Sequence, residues 1–271
     1  MKKNILFLLF IVNLIFLQAE TFQKIDMKDF TLEDKWYDID LGVSVDHSIR
    51  FKDNTMSFID YEKGKKSENY IIESYKYRER KDGGLTFLDL ENGTTYLCIA
   101  SDDVLLLYKQ NKKEPEYFGY FNLRAYEALR LPNKLCFEAS TYLKEKNKEY
   151  PAENIGTWDL ETPWVENVKG NGIGQKVTFG IDDSVIYIMT GYVSYEKPYL
   201  YKENSRPKKI KLTFLDVSKE PMIIELEDTP APQKITLGER IESNVELEIL
   251  EVYEGTKYQD TCINTIFFRV Y

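Results

Sequence analysis

The sequence is poor in the residues that most often perform catalysis or bind metals. The chain of 271 residues contains one histidine, His47. Ser-His-Asp and Cys-His pairings depend on a histidine, and zinc sites usually use histidines or cysteines at ligand spacing. No nucleophile motif lies next to His47. The sequence therefore gives no positive sign of an enzyme, and we expect a protein without catalytic residues.

Cysteine is also scarce. The three cysteines, Cys98, Cys136 and Cys262, are too few and too odd in number for a disulfide scaffold. Cys136 and Cys262 lie near the two ends of the C-terminal half, so they could pair if the first and last strands of that half are neighbours. The alternative is three buried thiols. The sequence leaves both interpretations open.

Long apolar runs are confined to the N-terminus. Lys2 and Lys3 precede an apolar run from Ile5 to Leu17, and the run ends close to the small residue Ala19. This pattern is typical of a secretory signal peptide over residues 1–19, cleaved after Ala19. An uncleaved anchor is the alternative, but a spanning helix needs roughly 17–25 apolar residues. We expect a mature protein outside the cytoplasm, periplasmic or secreted, with no integral membrane segment.

Basic charge is in deficit. The chain carries 36 basic and 45 acidic side chains, a formal net charge of -9. One basic stretch, YKENSRPKKIKLTF, lies in the more acidic C-terminal half. Because a nucleic-acid footprint needs basic charge spread over a face, we expect no nucleic-acid partner. Within the stretch Ile210, Leu212 and Phe214 alternate with polar residues, which predicts a strand with lysines on its solvated face.

The strand pattern recurs along the whole chain. Aromatic residues make up 14% of the sequence, a composition that favours pleated sheets. Short segments such as MSFIDY and LTFLDL are separated by turn formers such as KDN, RKDGG and ENG. We predict an all-β protein in two domains. The first, residues 20–135, is a small β-barrel or meander followed by a helix or linker at 120–135, and the second, residues 136–271, is a β-sandwich or jelly roll.

The start of the N-terminal domain is similar to a lipocalin-like small barrel. The segments FTLEDKWYDID and IRFKDNTMSF place Trp36 where an early tryptophan plugs the barrel end in that group. The alternative is that Trp36 is an ordinary core aromatic.

The C-terminal half carries a more extensive resemblance. Six segments occur in a fixed order: ASTYLKEK, ENIGTWDLETPWVE, GNGIGQKVTF, GYVSYEKPYLYKENSRPKKIKLTF, LEDTPAPQKITL and LEVYEGTKYQDTCI. In this order they resemble the NADase-type glycan-binding domain, a discoidin-like relative of the galactose-binding jelly rolls of secreted bacterial proteins. The resemblance covers residues 136–271 and implies a discoidin-like jelly roll that binds a glycan without chemistry.

Several loop residues suit contact with a sugar. Arginine, asparagine and aspartate present paired donors or acceptors to neighbouring hydroxyls, and aromatic faces stack on C–H surfaces. The predicted glycan-binding residues are Tyr195, Asn204, Arg206, Tyr258 and Asp260. The structural alternative is that Asn204 and Asp260 cap turns and that the tyrosines belong to the core.

Three positions depart from the family pattern: Thr190, Gln259 and Thr265. Thr265 stands where the family tends to have an acid in the last strand, and related jelly rolls hold a structural calcium ion partly through such an acid. A site of oxygen ligands loses affinity with each lost charge. We therefore expect no cofactor beyond a weakened calcium site, with Asp159 as its candidate ligand.

The sequence favours a secreted or periplasmic, non-catalytic carbohydrate-binding protein whose partner is a glycan or glycoconjugate. A second interpretation is a protein-interaction module that docks an envelope component or a host protein without binding sugar. A third, an enzyme with its site in the N-terminal domain, would need acids gathered around His47. The glycine cluster GNGIG is not a dinucleotide loop, because it leads into a strand rather than a helix.

Overall fold

The computed structural model describes residues 36–40, 45–61, 70–101, 104–109, 116–121, 128–130 and 137–270. This part contains eighteen strands and two short helical segments, which confirms the all-β fold class. No helix in these ranges is long and apolar enough to cross a membrane. The predicted signal peptide and Cys136 lie outside the described residues, whereas Cys98 and Cys262 are buried, free thiols.

The first eight strands form a closed barrel. They are β1 (Trp36–Asp40), β2 (Val45–Lys52), β3 (Thr55–Tyr61), β4 (Tyr70–Asp82), β5 (Leu85–Leu90), β6 (Thr95–Ala100), β7 (Val104–Lys109) and β8 (Glu116–Phe121). Each strand is antiparallel to the next, and Asp38 pairs with Phe121 to join β1 to β8. Of the two predicted arrangements, barrel or open meander, the chain adopts the barrel.

Two-residue turns set the register of the barrel hairpins. Asp53 and Asn54 connect β2 to β3 with φ of 52° and 54°, and Gly83 and Gly84 connect β4 to β5 with φ of 56° and 92°. Positive φ at both central residues is the type I′ geometry, which matches the twist of the flanking strands. These turns lie in the predicted KDN and RKDGG segments.

The side chains of Trp36 and His47 lie outside the described part. The backbone of Trp36 is the start of β1, and the backbone of His47 lies within β2. The barrel-plugging role of Trp36 and the proposal of an N-terminal site around His47 stay predictions.

The remaining strands form a curled antiparallel sandwich. They are β9 (Ala128–Arg130), β10 (Glu138–Ala139), β11 (Lys144–Glu145), β12 (Lys148–Glu149), β13 (Trp164–Val165), β14 (Lys176–Thr190), β15 (Arg206–Phe214), β16 (Met222–Glu225), β17 (Gln233–Tyr253) and β18 (Cys262–Val270), with a 3-10 helix at Ala152–Gly156 and a single helical turn, α1, at Leu200–Glu203. The main sheet has the order β13-β18-β14-β17-β15-β16; β9 pairs with β18, β10 pairs with β14, and β11 and β12 form a separate hairpin.

The helix considered for residues 120–135 does not form at the described positions. Tyr120 belongs to β8, and Ala128–Arg130 form β9. Phe268 pairs with Arg130, so this short segment satisfies the backbone groups along one edge of β18. Pairing with the edge of β18 therefore decides the conformation of residues 128–130, where the helical spacing of apolar residues is weak. β9 belongs to the sandwich although it precedes the predicted domain boundary at 136.

Two long strands curl the sheet around its core. β14 pairs with β17 along nearly its whole length, but the register shifts between Asp183 and Val185. A bulge of this kind bends the strand and increases its twist. Apolar residues of β14 on both sides of the bulge, and apolar residues of β17, then face one buried cluster that includes Phe179, Ile188 and Leu247.

A second apolar cluster joins the barrel to the sandwich. Its barrel members are Leu85, Phe87, Leu97, Ile99, Val104, Leu106 and Tyr108, and its sandwich members include Leu160, Val185, Tyr187, Met189, Val193, Tyr201 and Phe267. The Oη of Tyr108 donates to the carbonyl of Trp158 at 2.8 Å across the same contact. One face of β5–β7 is therefore covered by the sandwich.

Candidate ligand-binding site

Four of the five predicted glycan-binding residues come together on two neighbouring segments. Asn204 and Arg206 follow α1, and Tyr258 and Asp260 lie between β17 and β18, in residues 254–261, called here the β17–β18 loop. The N–H of Tyr258 donates to the carbonyl of Glu203 at 2.8 Å, and the N–H of Ser205 donates to the carbonyl of Asp260 at 3.0 Å. The α1 segment and the β17–β18 loop are thus one hydrogen-bonded unit.

Arg206 is the buried centre of this unit. The sequence suggested that Arg206 lies in the turn before β15, but Arg206 is the first residue of β15. It is 3% exposed. Its Nε and Nη2 donate to the Asp228 carboxylate at 2.7 and 3.2 Å. Its Nη1 donates to the carbonyls of Tyr201 and Asn204 at 3.1 and 2.5 Å. The guanidinium therefore holds the C-terminal end of α1, and its contact with a ligand stays a prediction.

Asp228 accepts hydrogen bonds from three side chains. Besides Arg206, the Nζ of Lys202 donates to it at 2.7 Å and the Oη of Tyr201 at 3.3 Å. Burial alone would raise the pKa of Asp228, but the hydrogen bonds and charges of Arg206 and Lys202 outweigh it and hold that pKa below its usual range. The Asp228 carboxylate is therefore charged, and both of its oxygens accept hydrogen bonds.

Asn204 uses its side chain within the fold. It is buried, and its Nδ2 donates to the carbonyl of Leu200 at 3.0 Å. The backbone N–H of Asn204 donates to the same carbonyl at 3.1 Å, so the side chain adds a second bond at the C-terminal end of the helical turn. The capping role, which was the structural alternative for Asn204, is present.

Tyr258 is exposed and Asp260 is half-buried on the β17–β18 loop. Tyr258 is 39% exposed, and the Nζ of Lys257 lies 4.8 Å from the centre of its ring. Asp260 is half-buried, and burial together with the nearby charge of Glu145 raises its pKa. An exposed aromatic ring and a carboxylate thus lie two residues apart on one fixed loop.

Tyr195 lies at the contact between barrel and sandwich. Its ring packs edge-on against Phe87, with 5.6 Å between the ring centres, and its Oη donates to the carbonyl of Thr95 at 3.2 Å. Its N–H donates to the carboxylate of Glu161 at 2.6 Å. Tyr195 therefore connects the loop before α1 to the barrel.

Asp159, the candidate calcium ligand, closes its own turn. It is exposed, its Oδ1 accepts the N–H of Glu161 at 3.0 Å, and its Oδ2 accepts the hydroxyl of Thr162 at 2.8 Å. No group of three or more histidine, cysteine, aspartate or glutamate side chains is placed to hold a metal ion in the described ranges.

At and next to Thr265, where the family pattern has an acid, neutral side chains donate to backbone carbonyls. The Oγ1 of Thr265 donates to the carbonyl of Ile155 at 2.8 Å, and the Nδ2 of Asn264 donates to the carbonyl of Leu160 at 3.0 Å. Thr265 therefore supplies no negative charge at this position, which weakens any site for a calcium ion.

Two acids of the loop region, one buried and one half-buried, were not assigned a role from the sequence. Glu166 is fully buried; its Oε2 accepts the N–H of Val168 at 2.7 Å and its Oε1 accepts the N–H of Thr261 at 3.2 Å. Burial raises its pKa although these two bonds oppose the shift. Glu161 accepts from Ser194 as well as from Tyr195. Both acids lie in the ENIGTWDLETPWVE segment, which was the available signal.

The basic stretch forms an ion-paired strand face. Ile210 and Leu212 point into the core of the sandwich, which confirms the predicted alternation of β15. On the other face Lys211 contacts Glu248 at 2.8 Å and Lys209 contacts Glu251 at 2.5 Å. The glutamates of β17 thus neutralise the lysines, and the stretch is not an anion-binding patch.

These features define an all-β protein with a discoidin-like jelly roll beside a small barrel. The chain belongs to the NAD glycohydrolase translocation F5/8 type C domain family, whose family model matches residues 128–269, just over half of the chain. This match confirms the resemblance seen in the C-terminal half. A search of curated proteins found no match.

Solved structures similar to this chain include three carbohydrate-binding modules of Clostridium perfringens. The family 32 module of NanJ, in complex with galactose, is 12% identical with a TM-score of 0.38, covering 52% of this chain and 99% of that chain. The fourth family 32 module of CpGH89, in complex with GlcNAc-α-1,4-galactose, is 16% identical with a TM-score of 0.35, covering 52% and 90%. The fifth, in complex with GalNAc-β-1,3-galactose, is 13% identical with a TM-score of 0.36, covering 50% and 94%.

Proposed function

We propose that this protein is a non-catalytic glycan-binding protein and that the surface formed by α1 and the β17–β18 loop contacts the glycan. The observation that carries the proposal is the exposed ring of Tyr258 two residues from the half-buried Asp260. A sugar offers C–H faces that stack on an aromatic ring and neighbouring hydroxyls that donate to a carboxylate. In this proposal Tyr258 supplies the ring and Asp260 supplies the acceptor.

The rigid support of this loop favours binding. Arg206 and Asn204 fix the end of α1, and backbone bonds fix the loop to α1. A loop held in one conformation loses less conformational freedom when a ligand binds. Arg206, Asn204 and Tyr195 are therefore proposed to act mainly behind the surface, with Tyr258 and Asp260 in front.

We place the protein outside the cytoplasm, periplasmic or secreted. The support is the signal-peptide pattern of residues 1–19, with Lys2 and Lys3 before the apolar run. The glycan partner would then be a glycoconjugate of the cell envelope, the medium or a host surface.

A protein-docking function is the second candidate. The β15–β16 connection carries exposed Leu215 and Val217, and the short strand β16, at one end of the main sheet order, carries Ile223, which is 64% exposed. Exposed apolar residues beside a strand edge are a common feature of protein contacts. This surface is not part of the α1 and β17–β18 loop surface, so substitutions can separate the two functions.

A glycan array with the purified chain tests the proposal. Single sugars bound at shallow sites bind weakly, so the array should present ligands at high density. We expect selective binding that Tyr258→Ala and Asp260→Asn each reduce about tenfold, a loss of ~1.4 kcal/mol. Tyr75→Ala is the matched control, because Tyr75 is a partly exposed tyrosine on barrel strand β4.

The controls define what would contradict the proposal. Calcium and a chelator should give equal binding, because Thr265 supplies no carboxylate where the family pattern has an acid. A folded protein that binds no glycan would refute the glycan function and favour protein docking. Unchanged binding in both loop variants would refute the assignment of this surface.

A further inference from the structure

We propose that the β4–β5 turn of the barrel positions the β17–β18 loop through α1, so that the barrel is a working part of the binding surface. The inference rests on the proposed function of that loop. It assigns Gly83 and Gly84 as positioning residues, although neither lies in the domain that the family model matches.

The turn is in direct backbone contact with the start of α1. A Cβ atom on Gly83 would lie 2.3 Å from the carbonyl carbon and oxygen of Pro198 and 2.5 Å from the nitrogen of Tyr199. A Cβ on Gly84 would lie 2.9 Å from the Cε of Lys202 and 3.1 Å from the Cδ1 of Tyr201. Only glycine allows this approach, and the barrel turn therefore fixes one side of α1.

The far end of α1 carries the β17–β18 loop. The carbonyl of Lys202 accepts the N–H of Thr256 at 3.0 Å and its hydroxyl at 3.2 Å. The carbonyl of Glu203 accepts the N–H groups of Lys257 and Tyr258 at 3.2 and 2.8 Å. Four hydrogen bonds thus tie the loop to the last two residues of α1.

The loop also packs tightly against α1. A Cβ atom on Gly255 would lie 2.4 Å from the carbonyl oxygen of Glu203 and 2.6 Å from the carbonyl carbon of Asn204. Because the two backbones touch at Gly255, a displacement of α1 towards the loop must displace the loop as well.

The position of α1 depends on its neighbours and not on its own stability. It has four residues, and an isolated helix of one turn does not form in water. The barrel turn contacts it on one side, and Arg206 binds its terminal carbonyls from within the sandwich. Loosening the contact at the barrel turn should therefore change the ordering of the loop that carries Tyr258.

Three glycine substitutions test this path. Gly83→Ala places a methyl group against backbone, Gly84→Ala places one against a flexible lysine, and Gly93→Ala is the control. Gly84 and Gly93 have φ of 92° and 84°, so the backbone strain of alanine is closely matched. A Cβ on Gly93 would meet nothing within 4 Å.

The readouts are hydrogen exchange of amides 256–258 and glycan affinity. Amide exchange of the core strand β17 serves as the internal reference for global stability. Relative to Gly93→Ala, we expect Gly84→Ala to accelerate exchange in the loop several-fold and Gly83→Ala about tenfold or more, without the same change in β17. Affinity for the glycan should fall in the same order. If Gly83→Ala does not fold, Gly84→Ala decides the test.

The two proposals fail in different ways. Equal loop exchange in Gly84→Ala and Gly93→Ala would overturn the positioning inference. Faster exchange with unchanged affinity would overturn it too, because the loop would then bind without support from the barrel. If the wild-type protein binds no glycan, the proposed function fails, and the exchange comparison still decides whether the barrel orders the loop.

Discussion

Replacing Arg206 with alanine should destabilise the fold more than a surface substitution would. The change removes a guanidinium that is 3% exposed and that bonds Asp228 and two carbonyls of the α1 region. Removing one partner of a buried ion pair typically costs about 3–5 kcal/mol. The cost of the substitution is lowered because Asp228 is 30% exposed and keeps its ion pair with Lys202. The cost is raised because two backbone carbonyls lose a charged donor. We expect the free energy of unfolding to fall by about 3 kcal/mol.

Urea denaturation of wild type, Arg206→Ala and Arg206→Lys measures this loss. Lysine keeps the charge but cannot reach the carboxylate and both carbonyls at once, so we expect about half the loss, ~1.5 kcal/mol. The pKa of Asp228 is lowered in the folded state, so the ion pair stabilises above the unfolded pKa and its contribution disappears as the pH falls through the folded pKa. The difference between wild type and Arg206→Ala should therefore shrink in acid.

Arg206→Ala also separates the two roles of this residue. A loss of stability below about 1 kcal/mol would refute the supporting role. If such a stable variant also lost glycan binding, Arg206 would instead contact the ligand directly, as the sequence suggested.

Three further predictions concern the loops, the contact between barrel and sandwich, and pH. Gly191→Ala should cost about 2 kcal/mol more than Gly174→Ala in denaturation, because their φ values are 87° and 83° but only the first methyl group would meet other atoms within 4 Å. Tyr108→Phe should cost about 1 kcal/mol for the lost bond to Trp158; two separate transitions on melting would contradict the shared core. Glycan binding should weaken as the pH falls through the raised pKa of Asp260, at a higher pH than for an ordinary aspartate, and binding titrations of Asp260→Asn should lack that step.

The strand architecture could be predicted wherever local chemistry decides it. The alternation of Ile210 and Leu212 with lysines fixes which face of β15 is buried, and the KDN and RKDGG segments supply the residues that a two-residue turn needs. The strand Ala128–Arg130, in the segment where the sequence predicts a helix or linker, could not be predicted because three residues carry almost no periodicity. Its strand depends on the free edge of β18, which is far away in sequence.

The chemistry of the candidate site was harder to predict, because it depends on partners distant in the chain. Asn204 and Arg206 follow turn-forming sequence, yet Asp228, 22 residues after Arg206, draws the guanidinium inward. The sequence identifies arginine as a residue able to bind a planar ligand; it does not reveal whether a carboxylate of the protein already fills that role. Tyr258 is 39% exposed and the side chain over its ring is Lys257, its neighbour in the chain, so its exposure agrees with the simple expectation for a loop.

The sequences of β6 and β7 already indicate the contact between barrel and sandwich, because their apolar residues do not simply alternate with polar ones. In an antiparallel barrel with one face in water, every second residue should be polar, but Val104–Tyr108 are all buried, and so are Tyr96–Ala100. An antiparallel strand that is apolar on both faces must be covered on both. Here the second cover is the sandwich, through residues such as Tyr187 and Phe267. The barrel and the jelly roll therefore complete each other's buried surface, and this shared core is the physical reason that a turn of the barrel can order a loop of the sandwich.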